Sequence, residues 1–495
     1  MKKILIYMFA GMFLLTGCDL DINENPNYPS SEDITPDLMF PAAVNAIADC
    51  VGDQMFNYAG YFAQYFDQAP TANQYNDLAE LKIDEGSDLF DRCYIYLYSG
   101  ALADIQDILS RKVNASDAFA CTVMRAQALQ LVVDNLDFAP YTEALQASAN
   151  AMPAWEEGKA VYEGVLAELD AAEAALGNDA ITLTDPLLNK NLSQWKGYAN
   201  ALRLRMYMRL IDGGVNAAEY TNKAKALVAA NNFFNGNVAW DVYSDASGQY
   251  SPWFGAYYRL GTINHCAAYP IVSYMLANND PRIGAYLNKA SKSDDYVGQL
   301  PGCKTLTGDW LGISSAYNND YVSLVNYSAL PAEPIYLFTQ SELQFLIAEV
   351  QLRFNNNTAA AKAAYEAAVE ADFASRGIGG AETFLASNRV NFDNQADKLK
   401  LIYMQKWTAF FMRNHMEAWS EVRRTDVPAL SNQKAQDIFK DATIYIAGDM
   451  IEPGVNNIVG GGLAKRVPYP SRARTLNKNT PEAKLLSDRV FWDVK

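Results

Sequence analysis

The chain has 495 residues, which is enough for a large hydrophobic core, and a formal net charge of −17. That charge argues against nucleic acid and anionic surfaces as partners. The presence of only two histidines, His265 and His415, and the absence of a CxxC spacing argue against histidine-based catalysis and a metal or redox cluster. Length alone suggests about three domains. Because no linker-like composition interrupts the chain after its N-terminal region, we expect one large unit.

The N-terminal residues resemble a bacterial lipoprotein signal. Two lysines precede an apolar stretch, 4–15, which is too short to span a bilayer. The sequence LTGC at 15–18 then resembles a lipobox, in which cleavage before the cysteine leaves its thiol to carry acyl chains. We expect a signal peptide over 1–17 and a lipidated Cys18 that opens a flexible tether over 18–40. The alternative is an ordinary signal peptide with an incidental cysteine.

Helical periodicity dominates the rest of the chain. An apolar stripe at helical spacing starts near Tyr162 and ends before Gly177. A second long helix is predicted over 193–212, where two glycines follow it, and another from about Ala217 to Ala230. These patterns favour an all-α fold.

Residues 341–377 predict a helix–turn–helix unit with its turn at 355–358. Alanines along the second helix allow its partner to approach closely. Such pairs resemble tetratricopeptide units, although no strict repeat of that motif is visible. We therefore predict tetratricopeptide-like helical pairs that form a scaffold and carry long irregular loops.

Helical patterning is interrupted between about 231 and 334, where we predict only a short helix around 271–276. Long irregular segments inside a compact domain are usually functional. Tyr and Trp rings stack on the apolar faces of sugars, and Asn, Asp, Gln and Arg bind sugar hydroxyls. This mixture occurs over 61–77 and within 247–321. The alternative for each such residue is that it packs its loop on the scaffold.

The residues that this reasoning selects as candidate ligand contacts are Trp253, Tyr257, Trp310, Tyr317, Tyr75, Asn73 and Asp67. No pair of carboxylates is singled out by a local motif, so we assign no catalytic residue. We likewise assign no metal ligand and no cofactor.

Five cysteines remain besides the one expected to be lipidated. Cys50, Cys93 and Cys121 lie in helical patterns and are expected to be small buried hydrophobic residues. Export from the cytoplasm permits disulfides. The pair worth testing is Cys266 with Cys303.

Six stretches, in this order, resemble one protein family. They are LDFAPYTEAL at 136–145, QWKGYANALRLRMYMRL at 194–210, NDPR at 279–282, ELQFLIAEVQLR at 342–353, IYMQKWTAFFMRNHMEAWSEVRRTDVPAL at 402–430 and RVPYPSRARTLN at 466–477. Leu136 departs from the family pattern, which has glycine there. Each stretch alone is weak, but six in order make the chain resemble the SusD-like (SusD/RagB) nutrient-binding outer-membrane lipoproteins, in their second subgroup.

The resemblance implies a non-enzymatic, lipid-anchored protein on the outer membrane that faces the cell exterior. It implies four tetratricopeptide-like pairs within a single domain, 41–495, in which 231–334 is a loop-rich insertion. It also implies that the protein captures a glycan, or in some cases a peptide, and delivers it to a SusC-like TonB-dependent transporter. The alternatives are a helical surface glycoside hydrolase or lyase and a helical-repeat adaptor that binds only protein.

The shared motifs are expected to serve the fold. Trp407, Trp419 and Phe411 lie at helical spacing and are predicted to be core residues. The residues expected to form a buried ion-pair network that fixes helix registry are Arg423, Arg424 and Glu417.

Overall fold

The structure is a computed structural model that describes residues 34–146, 149–454 and 457–495. Its helices are α1 (Pro36–Asp49), α2 (Met55–Phe62), α3 (Asn76–Ala79), α4 (Asp91–Ile95), α5 (Ala103–Ser110), α6 (Ala115–Leu136), α7 (Gly158–Ala174), α8 (Leu192–Asp212), α9 (Ala217–Ala230), α10 (Pro252–Leu260), α11 (Tyr269–Ala277), α12 (Ile283–Tyr286), α13 (Lys304–Trp310), α14 (Gln340–Arg353), α15 (Thr358–Ser375), α16 (Ala381–Leu385), α17 (Lys398–Phe410), α18 (His415–Thr425), α19 (Ala435–Lys440) and α20 (Ser471–Leu476). The expected signal peptide and Cys18 lie outside the described residues.

Short strands and π-helical segments complete the fold. The strands are β1 (Phe66–Gln68), β2 (Phe138–Pro140), β3 (Trp155–Glu157), β4 (Val238–Trp240), β5 (His265–Ala267) and β6 (Ile335–Phe338). They form antiparallel two-stranded sheets, β1 with β5, β2 with β3 and β4 with β6. Two π-helical segments, Cys50–Gln54 and Tyr96–Leu102, follow α1 and α4 without a break.

The scaffold consists of helices that pack against their neighbour in the chain: α6 with α7, α8 with α9, α14 with α15, and α17 with α18. Polar side chains fix where many of these helices begin. The side chains that accept a hydrogen bond from a first-turn NH are those of Asn114, Asn191, Thr339, Asn357, Asp397 and Asn414. The pairs predicted over 193–230 and 341–377 are thereby confirmed.

The core is rich in aromatic and charged side chains. Trp407, Trp419 and Phe411 are at most 2% exposed, which confirms that they are core residues. Arg209 of α8 bridges Asp134 of α6 and Glu417 of α18. This ion pair joins three scaffold helices inside the molecule.

The expected ion-pair network is only partly confirmed. Arg424 pairs with Glu349 and Glu421, at 2.7 and 2.6 Å. Arg423 was expected to belong to the same network, but it donates to the carbonyl of Asp134 at 2.8 Å and stacks on the Trp419 ring at 3.6 Å. Its guanidinium thus interacts with a backbone carbonyl and an indole ring, and not with a carboxylate.

The segment 231–334 is more helical than the sequence suggests. The helix expected around 271–276 is present as α11, but α10, α12 and α13 also lie there. Helix α1 begins at Pro36, inside the range 18–40 predicted as tether. Short helices rich in aromatic residues lack the polar face on which the periodicity argument depends.

Every cysteine in the described ranges is buried and free, so the suggested disulfide between Cys266 and Cys303 is absent. Cys50, Cys93 and Cys121 pack as small core residues, as expected. Over the same ranges, no helix is long and apolar enough to cross a membrane. No cluster of three or more His, Cys, Asp or Glu suited to a metal ion occurs in the part of the chain that the structure describes.

Candidate functional site

Two adjoining clefts lie on one side of the scaffold. The first has a volume of about 550 Å³ and the second about 460 Å³, and Asp53 and Arg92 line both. We call the two together the Arg92 groove. Its polar and aromatic lining residues include Asp49, Asp53, Gln54, Asn57, Gln74, Tyr75, Asp77, Asp88, Asp91, Arg92, Tyr96, Ser247 and Tyr250.

The backbone irregularities of the N-terminal helices position this groove. Asp53 lies in the π-helical segment after α1, and Arg92 lies in the first turn of α4, just before the second π-helical segment. Their side chains form an ion pair at the place where the two clefts meet. A π-helical turn rotates the following side chains relative to a regular α-helix, and such turns often occur at functional sites.

Aromatic rings stand on both sides of the ion pair. The Tyr96 ring is 37% exposed and lies beneath the Arg92 guanidinium, 5.7 Å from its centre. Tyr75 borders the other cleft. Its ring packs near the rings of Tyr61 and His265, with ring centroids 6.1 Å and 5.2 Å apart. Both tyrosines therefore combine a supported ring with an accessible part, which is what stacking on a sugar requires.

Side-chain amides supply hydrogen-bonding groups on the same walls. The Gln74 oxygen accepts from Asn264 at 3.0 Å, and the Asn57 oxygen contacts the His265 ring nitrogen at 2.8 Å. Among the described residues neither amino group has a protein partner. These amino groups remain available to donate to hydroxyl oxygens of a ligand.

The ionisable groups near the groove are held in defined states. Burial lowers the pKa of His265 to about 3, with a contribution from His415, so its ring is neutral at physiological pH. Burial raises the pKa of Asp49, while Arg92 and Asn45 oppose that rise. A neutral His265 can thus support the Tyr75 ring without adding a positive charge.

The residues predicted over 61–77 have different surroundings. Tyr75 lines the groove. Asn73 is exposed beside it, and its side-chain oxygen accepts a hydrogen bond from Lys304 at 2.9 Å. Asp67 is only 1% exposed, and its carboxylate accepts from Gln299 at 2.7 Å. Burial raises the pKa of Asp67 to about 7, although these hydrogen bonds lower it. Asp67 belongs to β1 and its carboxylate is bonded within the fold, and its role in ligand binding stays a prediction.

The expectation that Trp253 presents a free face in a loop is wrong. Trp253 lies in α10 and is 8% exposed, and its indole packs on Phe56 and Phe66. Tyr257, one turn later, stacks on Tyr327 with ring centroids 4.2 Å apart. Trp253 also lines a small cavity with Phe56 and Met412, and a role of Trp253 or Tyr257 in ligand binding stays a prediction.

Trp310 and Tyr317 do not line the groove. Trp310 is half-buried against Tyr269, with ring centroids 5.2 Å apart. The Tyr317 hydroxyl donates to the Gln299 side chain at 2.9 Å. These contacts hold the end of α13 and the segment after it against Tyr269 and Gln299, and a role of either residue in ligand binding stays a prediction.

Sequence reasoning missed Arg92, Asp53, Tyr96 and Asn57. All four lie in segments with helical composition, and the sequence does not reveal that the helices become π-helical there. The pairing of Asp53 with Arg92 also spans 39 positions. A lone arginine followed four positions later by tyrosine is too common a pattern to indicate a site.

Comparison with known families places this helical fold. A profile described as "SusD-like_2: Starch-binding associating with outer membrane" matches residues 26–445. The chain therefore belongs to this SusD-like family, as the six sequence stretches suggested. No curated protein matches it.

Solved structures with the same fold cover nearly all of the chain. A structure titled chitin-binding protein has a TM-score of 0.73 at 20% identity, covering 93% of this chain and 100% of that one. A SusD homologue from Bacteroides uniformis has a TM-score of 0.71 at 21% identity, covering 92% and 99%. A chitin-binding SusD homologue from Flavobacterium johnsoniae has a TM-score of 0.66 at 20% identity, covering 91% and 98%. The prediction of an all-α, tetratricopeptide-like scaffold is confirmed.

Proposed function

We propose that this protein binds an oligosaccharide at the cell surface, in the Arg92 groove, and delivers it to a SusC-like TonB-dependent transporter without altering it. The observation that carries the proposal is the pairing of the supported Tyr75 and Tyr96 rings with amides across two joined clefts. Rings and amides of this kind match the apolar faces and hydroxyls of sugars.

The comparisons support the same class of ligand. The family is described as starch-binding, and two structures of similar fold are described as chitin-binding. Maltohexaose and the hexamer of N-acetylglucosamine are therefore the first ligands to test. The peptide-binding alternative is tested with unrelated short peptides under the same conditions.

Calorimetric titration of the purified protein with both hexasaccharides tests the binding site. Tyr75→Ala and Tyr96→Ala each remove a stacking ring, which should cost about 1–2 kcal/mol of binding free energy, or about a five- to thirtyfold loss in affinity. Trp310→Ala is the matched aromatic control, because Trp310 lies outside the groove. Loss of binding in the control alone would place the site at the end of α13, which contains Trp310.

Incubation with the same sugars separates binding from catalysis. We expect recovery of the intact hexasaccharides after prolonged contact with the protein. Release of shorter products, abolished by substitution of a groove aspartate such as Asp53→Asn, would favour the hydrolase alternative.

The anchor and the transporter are tested in cells. Replacement of the lipidation residue, Cys18→Ala, should release a folded protein from the outer-membrane fraction. Purification of the unaltered protein in mild detergent should recover a large outer-membrane transporter with it. Retention of the Cys18→Ala variant in the membrane would contradict lipid anchoring, and recovery of the protein alone in several mild detergents would contradict the partnership.

A further inference from the structure

The charges on the groove walls are strongly unequal. The lining residues in the described ranges include five carboxylates, from Asp49, Asp53, Asp77, Asp88 and Asp91, and one guanidinium, from Arg92. The whole chain has a formal net charge of −17, so the rest of the protein does not offset the negative charge of the groove. A cleft lined by one sign of charge concentrates ligands of the opposite sign and repels those of the same sign.

The single guanidinium is already paired with a carboxylate of the groove. Arg92 pairs with Asp53 and lies over the Tyr96 ring. Recognition of a carboxylate or sulfate ordinarily uses a free arginine fork that donates two parallel hydrogen bonds. An anionic sugar would have to share Arg92 with Asp53, whose carboxylate would repel it.

Two of the five carboxylates have neither a cation nor a hydrogen-bond donor among the described residues, whereas Asp49 accepts from the Asn45 side chain at 3.2 Å. Asp77 and Asp88 are exposed on the wall of the first cleft, and neither forms an ion pair with a described residue. Lys82 lies near enough to Asp77 to sense its charge, but it is paired with Glu80. Asp91, by contrast, accepts from the backbone NH of Ser471 at 2.6 Å and is occupied by the fold.

From this arrangement we infer that the Arg92 groove selects oligosaccharides by charge: it admits neutral ones, favours those that bear amines, such as glucosamine oligomers, and rejects uronic-acid and sulfated ones. The inference rests on the proposed function, because it specifies the ligand class of the same groove. Coulomb attraction between an ammonium and the unpaired carboxylates would supply the preference.

The test compares four tetrasaccharides by calorimetric titration at low ionic strength. They are maltotetraose, the tetramer of N-acetylglucosamine, the tetramer of glucosamine and tetragalacturonate. The pH is set above the pKa of ordinary aspartate and below that of the glucosamine amines. We expect the glucosamine tetramer to bind about fivefold more tightly than the tighter neutral tetramer, and tetragalacturonate at least about fivefold more weakly. Added salt should reduce both differences.

The double variant Asp77→Asn/Asp88→Asn assigns the effect to the groove. It removes two charges that the fold does not use, so the melting temperature should stay unchanged while the glucosamine tetramer loses its advantage and tetragalacturonate gains affinity. Glu370→Gln/Glu382→Gln is the control with the same change in net charge, on helices α15 and α16 that do not line the groove. We expect this control to bind all four sugars as the unaltered protein does.

The outcomes distinguish failure of charge selection from failure of glycan binding itself. Binding of tetragalacturonate as tight as that of the neutral tetramers overturns charge selection and leaves glycan binding intact. So does a double variant that binds both charged tetramers unchanged. Absence of binding of all four sugars overturns the proposed function, and charge selection with it.

Discussion

The Trp253 indole lies parallel to the Phe66 ring, with ring centroids 5.5 Å apart and 9° between the ring planes. Phe56 meets the same indole edge-on at 4.8 Å. Trp253→Ala should therefore remove a core side chain and lower the free energy of unfolding by about 3–5 kcal/mol. Urea unfolding of this variant beside Trp407→Ala, which should lose a similar amount, measures the effect. A Trp253 variant as stable as the unaltered protein would show that the ring is free.

The error about Trp253 shows which sequence signals were overlooked. Ser251 caps α10 by accepting from the Phe254 NH, Pro252 occupies the first helical position, and Gly261 ends the helix with φ near 61°. A serine–proline start and a glycine stop are ordinary helix signals. The aromatic run between them lacks a polar face, so periodicity alone suggested a loop.

The scaffold was predictable for the opposite reason. Helices α8, α9, α14 and α15 have clear stripes, and glycines or asparagines mark their ends. The groove was predictable only in part, since the stretches 61–77 and 247–321 supply Tyr75, Asp77 and Tyr250 but not Asp53 or Arg92. It depends on π-helical turns and on the contact of Asp53 with Arg92, which only the packed helices bring together.

Acidification should destabilise the protein through His415. The Met412 NH donates to one ring nitrogen of His415 at 2.9 Å, and the other ring nitrogen contacts the Phe56 carbonyl at 2.8 Å. This arrangement needs the neutral ring, and burial lowers the pKa of His415 to about 3. At pH values between the ordinary pKa of histidine and this lowered pKa, His415 is protonated in the unfolded chain but neutral in the folded protein. Stability is therefore lost as the pH falls below the ordinary pKa.

Urea unfolding at about pH 7 and about pH 5 measures this loss, which should be about 2 kcal/mol for this one histidine. His415→Gln should be less stable at neutral pH but should lose less on acidification. His265, whose pKa burial also lowers to about 3, contributes in the same direction, while Asp67, whose pKa burial raises to about 7, contributes in the opposite direction. An unchanged difference between the two pH values in His415→Gln would show that His415 does not resist protonation.

The buried cysteines should be unreactive in the folded protein. Burial raises the pKa of Cys303 to about 12 and raises that of Cys121 further, so little thiolate exists at neutral pH. With Cys18→Ala as the starting protein, a thiol reagent should label no residue under native conditions and five residues in urea. Fast native labelling of one cysteine, located by peptide mapping, would reveal local opening at that position.

The ion pair of Arg424 with Glu349 should contribute strongly to cohesion between helices. Arg424 of α18 donates to Glu349 of α14 at 2.7 Å and also pairs with Asp212 at the end of α8 at 2.5 Å. Burial by itself would raise the pKa of Glu349, but Arg424 and Arg353 outweigh it and lower the pKa to about 2. The carboxylate thus stays charged, and its contribution to stability is present above the ordinary pKa of glutamate and is lost as the pH falls toward 2.

Arg424→Met should lower the free energy of unfolding by about 3–5 kcal/mol, because Glu349, Glu421 and Asp212 each lose one of their two cationic partners. The double variant Arg424→Met/Glu349→Gln should recover part of that loss, since one stranded charge is removed with its partner. Both are measured by urea unfolding at neutral pH, with Glu349→Gln alone to complete the cycle. Strictly additive losses would mean that Arg424 and Glu349 are not coupled, and registry of α14 and α18 would then depend on apolar packing alone.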